Sequence, residues 1–335
     1  MKHIINYLYT LLLLSILYGC VEEEQFPNTP QGNFDACWKI INEKYCFFEY
    51  KDIDWQNVYD KYRPQAGNGI SRDSLFNILA NMLAELKDGH VNLYAPFNQA
   101  RYWAWFEDYP DNFNSQIQRN YLGTDYLIAS GLKYTMLSDS VGYVYYPSFN
   151  SGVGELNLDY VLSYFWGCKG IIFDVRDNGG GSLSYVSTIA SRFTQTQITS
   201  GYISHKTGKG HNDFSEPYPM HLSPSDRIQW EKPVALLTNR HTFSAANNFV
   251  SVMRNLPNVT TIGDRTGGGS GLPFSSELPI GWVLRFSASP IYDANLEHTE
   301  FGIDPDIKVS MSVESMLQGK DDIIEEAKKN ILNNY

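Results

Sequence analysis

The sequence predicts an α/β protein whose parallel-stranded core follows a small helical N-terminal region. Three observations carry this. Ile171-Ile172-Phe173-Asp174-Val175 is a continuous apolar run of the kind found in parallel strands covered on both faces. Between Val141 and Ile262 such runs alternate with amphipathic helical segments, which implies right-handed crossovers. Ahead of them, residues 33–90 repeat apolar side chains at helical spacing in three successive stripes.

The 335 residues are 43% hydrophobic and 14% aromatic, enough to bury one large core and a smaller one. A formal net charge of −11, with Lys and Arg scattered, leaves no basic stripe for phosphates, so nucleic acid is not an expected partner.

At the N-terminus, Lys2 and His3 lead into the apolar run Ile4 to Leu17, too short to span a bilayer as a helix. Leu17-Tyr18-Gly19-Cys20 resembles a bacterial lipobox, which implies that residues 1–20 are a lipoprotein signal peptide and that Cys20 is lipidated. The alternative is an ordinary signal peptide with an incidental Cys. Residues 21–32 read as a tether: an acidic run, then Pro27-Asn28-Thr29-Pro30-Gln31-Gly32. The expected location is the cell envelope, as a lipoprotein of the outer membrane facing the periplasm or the surface. Cys37, Cys46 and Cys168 lack metal-ligand spacing and are expected as buried thiols, the first two on one helix and too far apart to bridge.

Residues 33–92 are expected to form an N-terminal three-helix domain. Its stripes are Phe34, Cys37, Trp38, Ile41 and Tyr45; then Trp55, Val58, Tyr59 and Tyr62; then Leu75, Ile78, Leu79, Met82, Leu83 and Leu86. The third helix has Ser71 as N-cap and Gly89 as its C-terminal stop, which places Asp88-Gly89-His90 at a turn. Residues 93–335 are assigned to the α/β core. Within it, residues 91–135 show weak periodicity and predict only irregular structure or short strands. Strands are expected at Val141 to Tyr146, Ile171 to Val175, Val234 to Thr238, Val259 to Ile262 and Trp282 to Ala288. Helices are expected at Leu156 to Trp166, Leu183 to Phe193 and Ser244 to Leu256. Residues 195–226, rich in Thr, Ser, Gly, His and Pro, read as an excursion from the core.

Two loops carry candidate chemistry. Asp177-Asn178-Gly179-Gly180-Gly181 follows a buried strand, and its glycines let backbone N–H groups approach an anion. It is neither a P-loop nor a dinucleotide fingerprint. Ser244 lies between a buried strand and an amphipathic helix, where unpaired N–H groups and the helix dipole favour developing negative charge. Serine is also among the commonest helix caps, and taken alone the cap is the stronger reading for Ser244 or Thr242.

A series of motifs shifts that balance. Asp88-Gly89-His90, Val141-Gly142-Tyr143, Asp174 to Gly181, Thr242-Phe243-Ser244-Ala245-Ala246, Gly263 to Gly268 and Glu300 to Asp306 occur in one order. The series resembles the serine peptidases of the tail-specific (C-terminal processing) protease and tricorn core family. The resemblance covers Asn33 to Ile307 and implies a crotonase/ClpP-like spiral core. It implies peptide-bond hydrolysis through an acyl-enzyme, peptide or protein substrates, and no metal or organic cofactor.

The family has a Ser/Lys layout and a tricorn-type Ser/His/Glu layout. No Lys occurs between Lys232 and Lys308, so the first is unavailable. The second maps onto Ser244 as nucleophile, His90 as base and Glu300, which would fix the imidazole tautomer directly or through another hydroxyl. Backbone N–H groups of Ala245 and of Gly179 or Gly180 would stabilise the oxyanion. His241 is a competing base, while His205, His211, His221 and His298 lack a partner pattern and read as surface or structural. Asp174 and Asp177 read as loop braces, and Asp304-Pro305-Asp306 as a turn.

Two features depart from the family. Asn247 and Asn248 stand where many relatives carry a Glu, and the residues between His90 and Val141 are too few for a peptide-binding PDZ module. The first departure leaves open a protein of the same fold that binds peptides or hydrophobic ligands without turnover. Ester hydrolysis by the same residues also remains open.

Overall fold

The computed structural model describes residues 25–335. The predicted signal peptide and Cys20 lie outside them. Among the described residues no helix is long and apolar enough to cross a membrane.

The chain begins with helices α1 (Pro30–Lys44), α2 (Trp55–Tyr62) and α3 (Arg72–Ala84). Thr29, Asp54 and Ser71 cap them by accepting the N–H groups of Gly32, Asn57 and Ser74. The stretch read as weakly periodic contains β1 (Asn92–Ala95), β2 (Asn98–Arg101), α4 (Ser115–Leu122), β3 (Leu127–Ala129) and β4 (Leu132–Met136). The alternating units follow: β5 (Val141–Tyr145), α5 (Glu155–Tyr164), β6 (Gly170–Asp174) and α6 (Leu183–Ala190). Then come β7 (Ile198–Ile203), β8 (Tyr218–Leu222), β9 (Val234–Thr238), α7 (Ala245–Met253) and β10 (Val259–Gly263). The chain ends with β11 (Gly271–Glu277), β12 (Val283–Tyr292), β13 (Ile307–Lys308), α8 (Val313–Leu317) and α9 (Asp322–Asn334).

The larger sheet runs β13-β10-β9-β6-β5-β4-β3. Its strands from β13 to β5 are parallel, and β4 and β3 add antiparallel. Every residue of β5, β6 and β9 is buried, as continuous apolar runs require when both faces are covered. Successive residues feed opposite layers. Ile171 and Phe173 join α5, α6 and α7 in one cluster, while Ile172 joins Ile323, Ile324, Ala327 and Ile331 of α9 in another.

The smaller sheet runs β2-β1-β12-β7-β8, with β11 also paired to β12. The expected excursion at 195–226 is therefore partly sheet: β7 and β8 pair with each other and extend from β12. Strand β7 is half-buried at every residue but Gly201 and forms no apolar run, which is why its composition resembles a loop. Leu284 and Phe286 of β12 pack into the same cluster as Phe34, Leu79 and Met82. The helices thus share a core with strands from the far end of the chain, and the boundary drawn at residue 92 falls inside β1. Cys37, Cys46 and Cys168 are free and buried, but Cys46 lies beyond the end of α1 and not on it.

The larger sheet is tied to the C-terminal segment by a buried ion triad. Arg176 donates from Nη2 to Asp174 Oδ2 at 2.7 Å and from Nη1 to Asp321 Oδ2 at 2.9 Å, all three fully enclosed. Asp321 also caps α9 by accepting from Ile323 and Ile324 N–H. Removing the cation strands two carboxylates in the interior. Arg176→Met is expected to lower unfolding free energy by about 3–5 kcal/mol, read from the urea midpoint at unchanged m-value.

Candidate active site

Three chain turns meet at Ser244. The turn after β6 supplies Asn178, whose carbonyl accepts Phe243 N–H at 3.0 Å. The turn between β10 and β11 supplies Gly268, whose carbonyl accepts Ser244 N–H at 2.8 Å. The segment after α3 supplies His90. Thr242, the other residue considered as a cap, instead donates its hydroxyl to Val175 O at 2.9 Å and locks the approach to α7.

Held this way, Ser244 adopts φ 59° and ψ −122°, a conformation that L-residues occupy only under constraint. It sits at the N-cap position of α7, yet its side chain makes no capping bond. The hydroxyl points to His90, with Oγ 2.9 Å from Nε2. A strained serine on a strand-to-helix turn is the geometry that exposes a nucleophilic oxygen ahead of a helix N-terminus. Gly180 makes room for it: a Cβ there would lie 2.8 Å from both Ser244 Cβ and Ala245 N, at φ 94°.

His90 is buried, its ring against Phe243. Its backbone N–H donates to Asp88 Oδ1 at 2.7 Å, which fixes the turn on which it stands. Burial depresses the imidazole to about 4; Asp88 opposes this, and the positive charges of Arg285 and Lys51 add to it. The ring is therefore neutral near pH 7, as a proton acceptor must be. His241 does not compete, since it lies among Trp105, Phe106 and Asp177.

Glu300 is buried nearby but does not act as the direct partner of the imidazole. Its Oε2 accepts from Ser270 N–H at 2.8 Å and its Oε1 pairs with Lys51 Nζ at 2.8 Å. His90 Nδ1 is buried without a hydrogen-bond partner among the described residues, and so is Ser270 Oγ. Glu300 instead secures the strand beside the serine: its carbonyl accepts from Gly269 N–H at 3.1 Å. A Cβ on Gly268 would stand 1.9 Å from that same carbonyl. Burial and the nearby Asp88 push the Glu300 carboxyl up to about 7, against the pull of Lys51.

Lys51 went unnoticed in the sequence. Its ammonium is enclosed between Glu300 and Asp88, 3.4 Å from Asp88 Oδ2. That same oxygen accepts from Tyr45 and Ser287 hydroxyls, each at 2.9 Å. Lys51 follows the end of α1 in an aromatic stretch with no motif around it, and only tertiary contact marks it.

Of the expected oxyanion donors, Ala245 N–H and Gly179 N–H have no acceptor among the described residues. The Gly180 N–H is a correction, since it already donates to Asn178 Oδ1 at 2.9 Å. Asn247 is a buried brace: Nδ2 donates to Thr299 Oγ1 at 3.2 Å, and Oδ1 accepts from Thr266 Oγ1 at 2.6 Å.

The sequence model of peptidase family S41 matches residues 140–309, and that of the tricorn protease C1 domain matches residues 26–84. A crystal structure of a candidate peptidase from Parabacteroides merdae is 59% identical, with TM-score 0.88 over 91% of this chain and 98% of that one. Mature CPAF complexed with lactacystin shares the fold at 12% identity and TM-score 0.70, over 92% of this chain and 99% of that one. The tricorn protease of Thermoplasma acidophilum is 29% identical over 196 residues, 56% of this chain and 16% of that protein. The chain spans between 16% and 22% of the length of the curated relatives it matches.

A methyl group at Gly180 would press on the turn from Phe243 to Ala245 and displace Ser244. Gly180→Ala is expected to slow fluorophosphonate labelling of Ser244 by about a hundredfold, with the far-ultraviolet dichroism of the wild type retained.

Proposed function

The chain belongs to peptidase family S41, and from that premise we propose that it is a serine peptidase whose nucleophile is Ser244 and whose general base is His90. The observation that carries this is the 2.9 Å contact between a neutral, buried imidazole and a serine hydroxyl that caps nothing. Ser244 Oγ attacks the peptide carbonyl as His90 Nε2 takes its proton. Ala245 N–H and Gly179 N–H stabilise the oxyanion. Collapse of the tetrahedral adduct passes the proton from His90 to the leaving amine and leaves an ester on Ser244. Water, deprotonated by His90, then releases the acid.

Glu300 serves as a positioning residue. Its charge, shared with Lys51 and Asp88, offsets the imidazolium formed in each step, and its carboxylate holds Ser270 in place beside the nucleophile. The carboxyl-terminal processing mode, in which tails of proteins are the substrates, is compatible with a cleft built without room for a separate peptide-binding module ahead of Val141. We further propose that Cys20 anchors the protein in the cell envelope as an outer-membrane lipoprotein.

Wild-type protein is expected to label stoichiometrically with a fluorophosphonate, Ser244→Ala not at all, and His90→Ala at least about a thousandfold more slowly. Absence of labelling in folded wild-type protein would favour a ligand-binding role for the same fold. Because the base is needed neutral and His90 is held near 4, the acid limb of kcat/KM lies near pH 4 instead of 6.5. Glu300 adds a second rise through about 7 as it ionises, and Glu300→Gln removes that step. For the anchor, an alkyne fatty acid fed to cells is expected to mark the wild type, and Cys20→Ser is expected to lose the mark and leave the membrane fraction.

A further inference from the structure

A cavity of about 300 Å³ opens beside the Ser244–His90 pair, and among its lining residues are Ser270, Asn248, Leu272 and Arg285. Arg285 stands on β12, opposite Asn92 of β1 and Ser275 of β11. Strand alternation sends Leu284 and Phe286 into the helical core and leaves Arg285 and Ser287 on the opposite face. Ser287 marks where that face looks, since its hydroxyl reaches Asp88 behind His90.

The two positive charges that act on His90 are treated differently. Lys51 is matched by two carboxylates. Arg285 is half-buried and makes no ion pair, side-chain hydrogen bond or ring contact among the described residues. No Asp or Glu lines the cavity. In a chain with 37 acidic residues against 26 basic ones, a guanidinium in a cleft without any acid is an unmatched charge. An incoming anion would offset its partial desolvation. Its planar fork fits a carboxylate through two parallel N–H donors.

We propose that Arg285 is a specificity residue that receives a carboxylate of the bound peptide. The assignment rests on the peptidase reading of the cleft. The carboxylate is supplied either by an acidic side chain close to the scissile bond or by the C-terminus of the peptide. Both present the same planar anion, and Leu272 and Pro273 provide apolar wall for the rest of the residue.

The test is binding, which does not need turnover. In Ser244→Ala protein, fluorescence anisotropy compares peptides that carry Glu or Gln at each position in turn, each with a free or amidated C-terminus. A carboxylate peptide is expected to bind about tenfold or more tightly than its neutral counterpart. A preference that follows Glu at one position identifies a side-chain acid, and one that follows the free terminus identifies the tail. Arg285→Gln should abolish the preference, Arg285→Lys should weaken it while keeping its sign, and Arg285→Glu should turn it toward Lys peptides. Equal affinities for charged and neutral peptides, or a preference that survives Arg285→Gln, would overturn the assignment. Failure of wild-type protein to label with a fluorophosphonate would count against the peptidase reading alone, since the anisotropy comparison stands without it.

Discussion

Lys51 is where the two ends of the chain are joined at the site. Its ammonium lies between Asp88, which fixes the turn carrying His90, and Glu300, which fixes the strand carrying Gly268 to Ser270. Gly268 in turn holds the Ser244 amide. A buried cation with two carboxylates is weak evidence of net stability, because desolvation consumes much of the Coulomb gain. Its effect here is specificity of position: the three charges tie the turn carrying His90 to the segment carrying Ser270.

This arrangement changes what the acid contributes. Glu300 was expected to fix the imidazole tautomer directly or through another hydroxyl; its oxygens are committed to Ser270 N–H and Lys51, so the direct contact is not made. A carboxylate so placed is linked to the His90 turn through Lys51, which it shares with Asp88. The Asn at 247 belongs to the same logic. It accepts and donates as a neutral group between Thr266 and Thr299, where a third carboxylate would add negative charge to an interior that already holds Asp88 and Glu300.

Much of the fold was legible in the sequence because burial on both faces leaves a plain record. The runs at β5, β6 and β9 have no polar alternation to confuse them, and the capped stripes of α1 to α3 repeat at helical spacing. Strands β7 and β8 were not legible, since half-covered residues mixed with Ser, Gly and Pro look like a loop until β12 is beside them. Ser244 and His90 were found through ordered motifs. Lys51 and Arg285 were not, because neither neighbours a motif and each takes its meaning from residues remote in the chain. The engagement of Gly180 N–H by Asn178 was likewise hidden, since a side-chain acceptor two residues back looks the same on paper as a free loop.

Ser244 and His90 lie 154 residues apart in sequence, and Glu300 comes later than either. Contacts so distant along the chain carry a larger loop-closure cost than local ones. The contact between hydroxyl and imidazole is consequently made by tertiary assembly and by no local segment. On the reading proposed above, Ser244 is an ordinary alcohol until those remote segments are brought beside it.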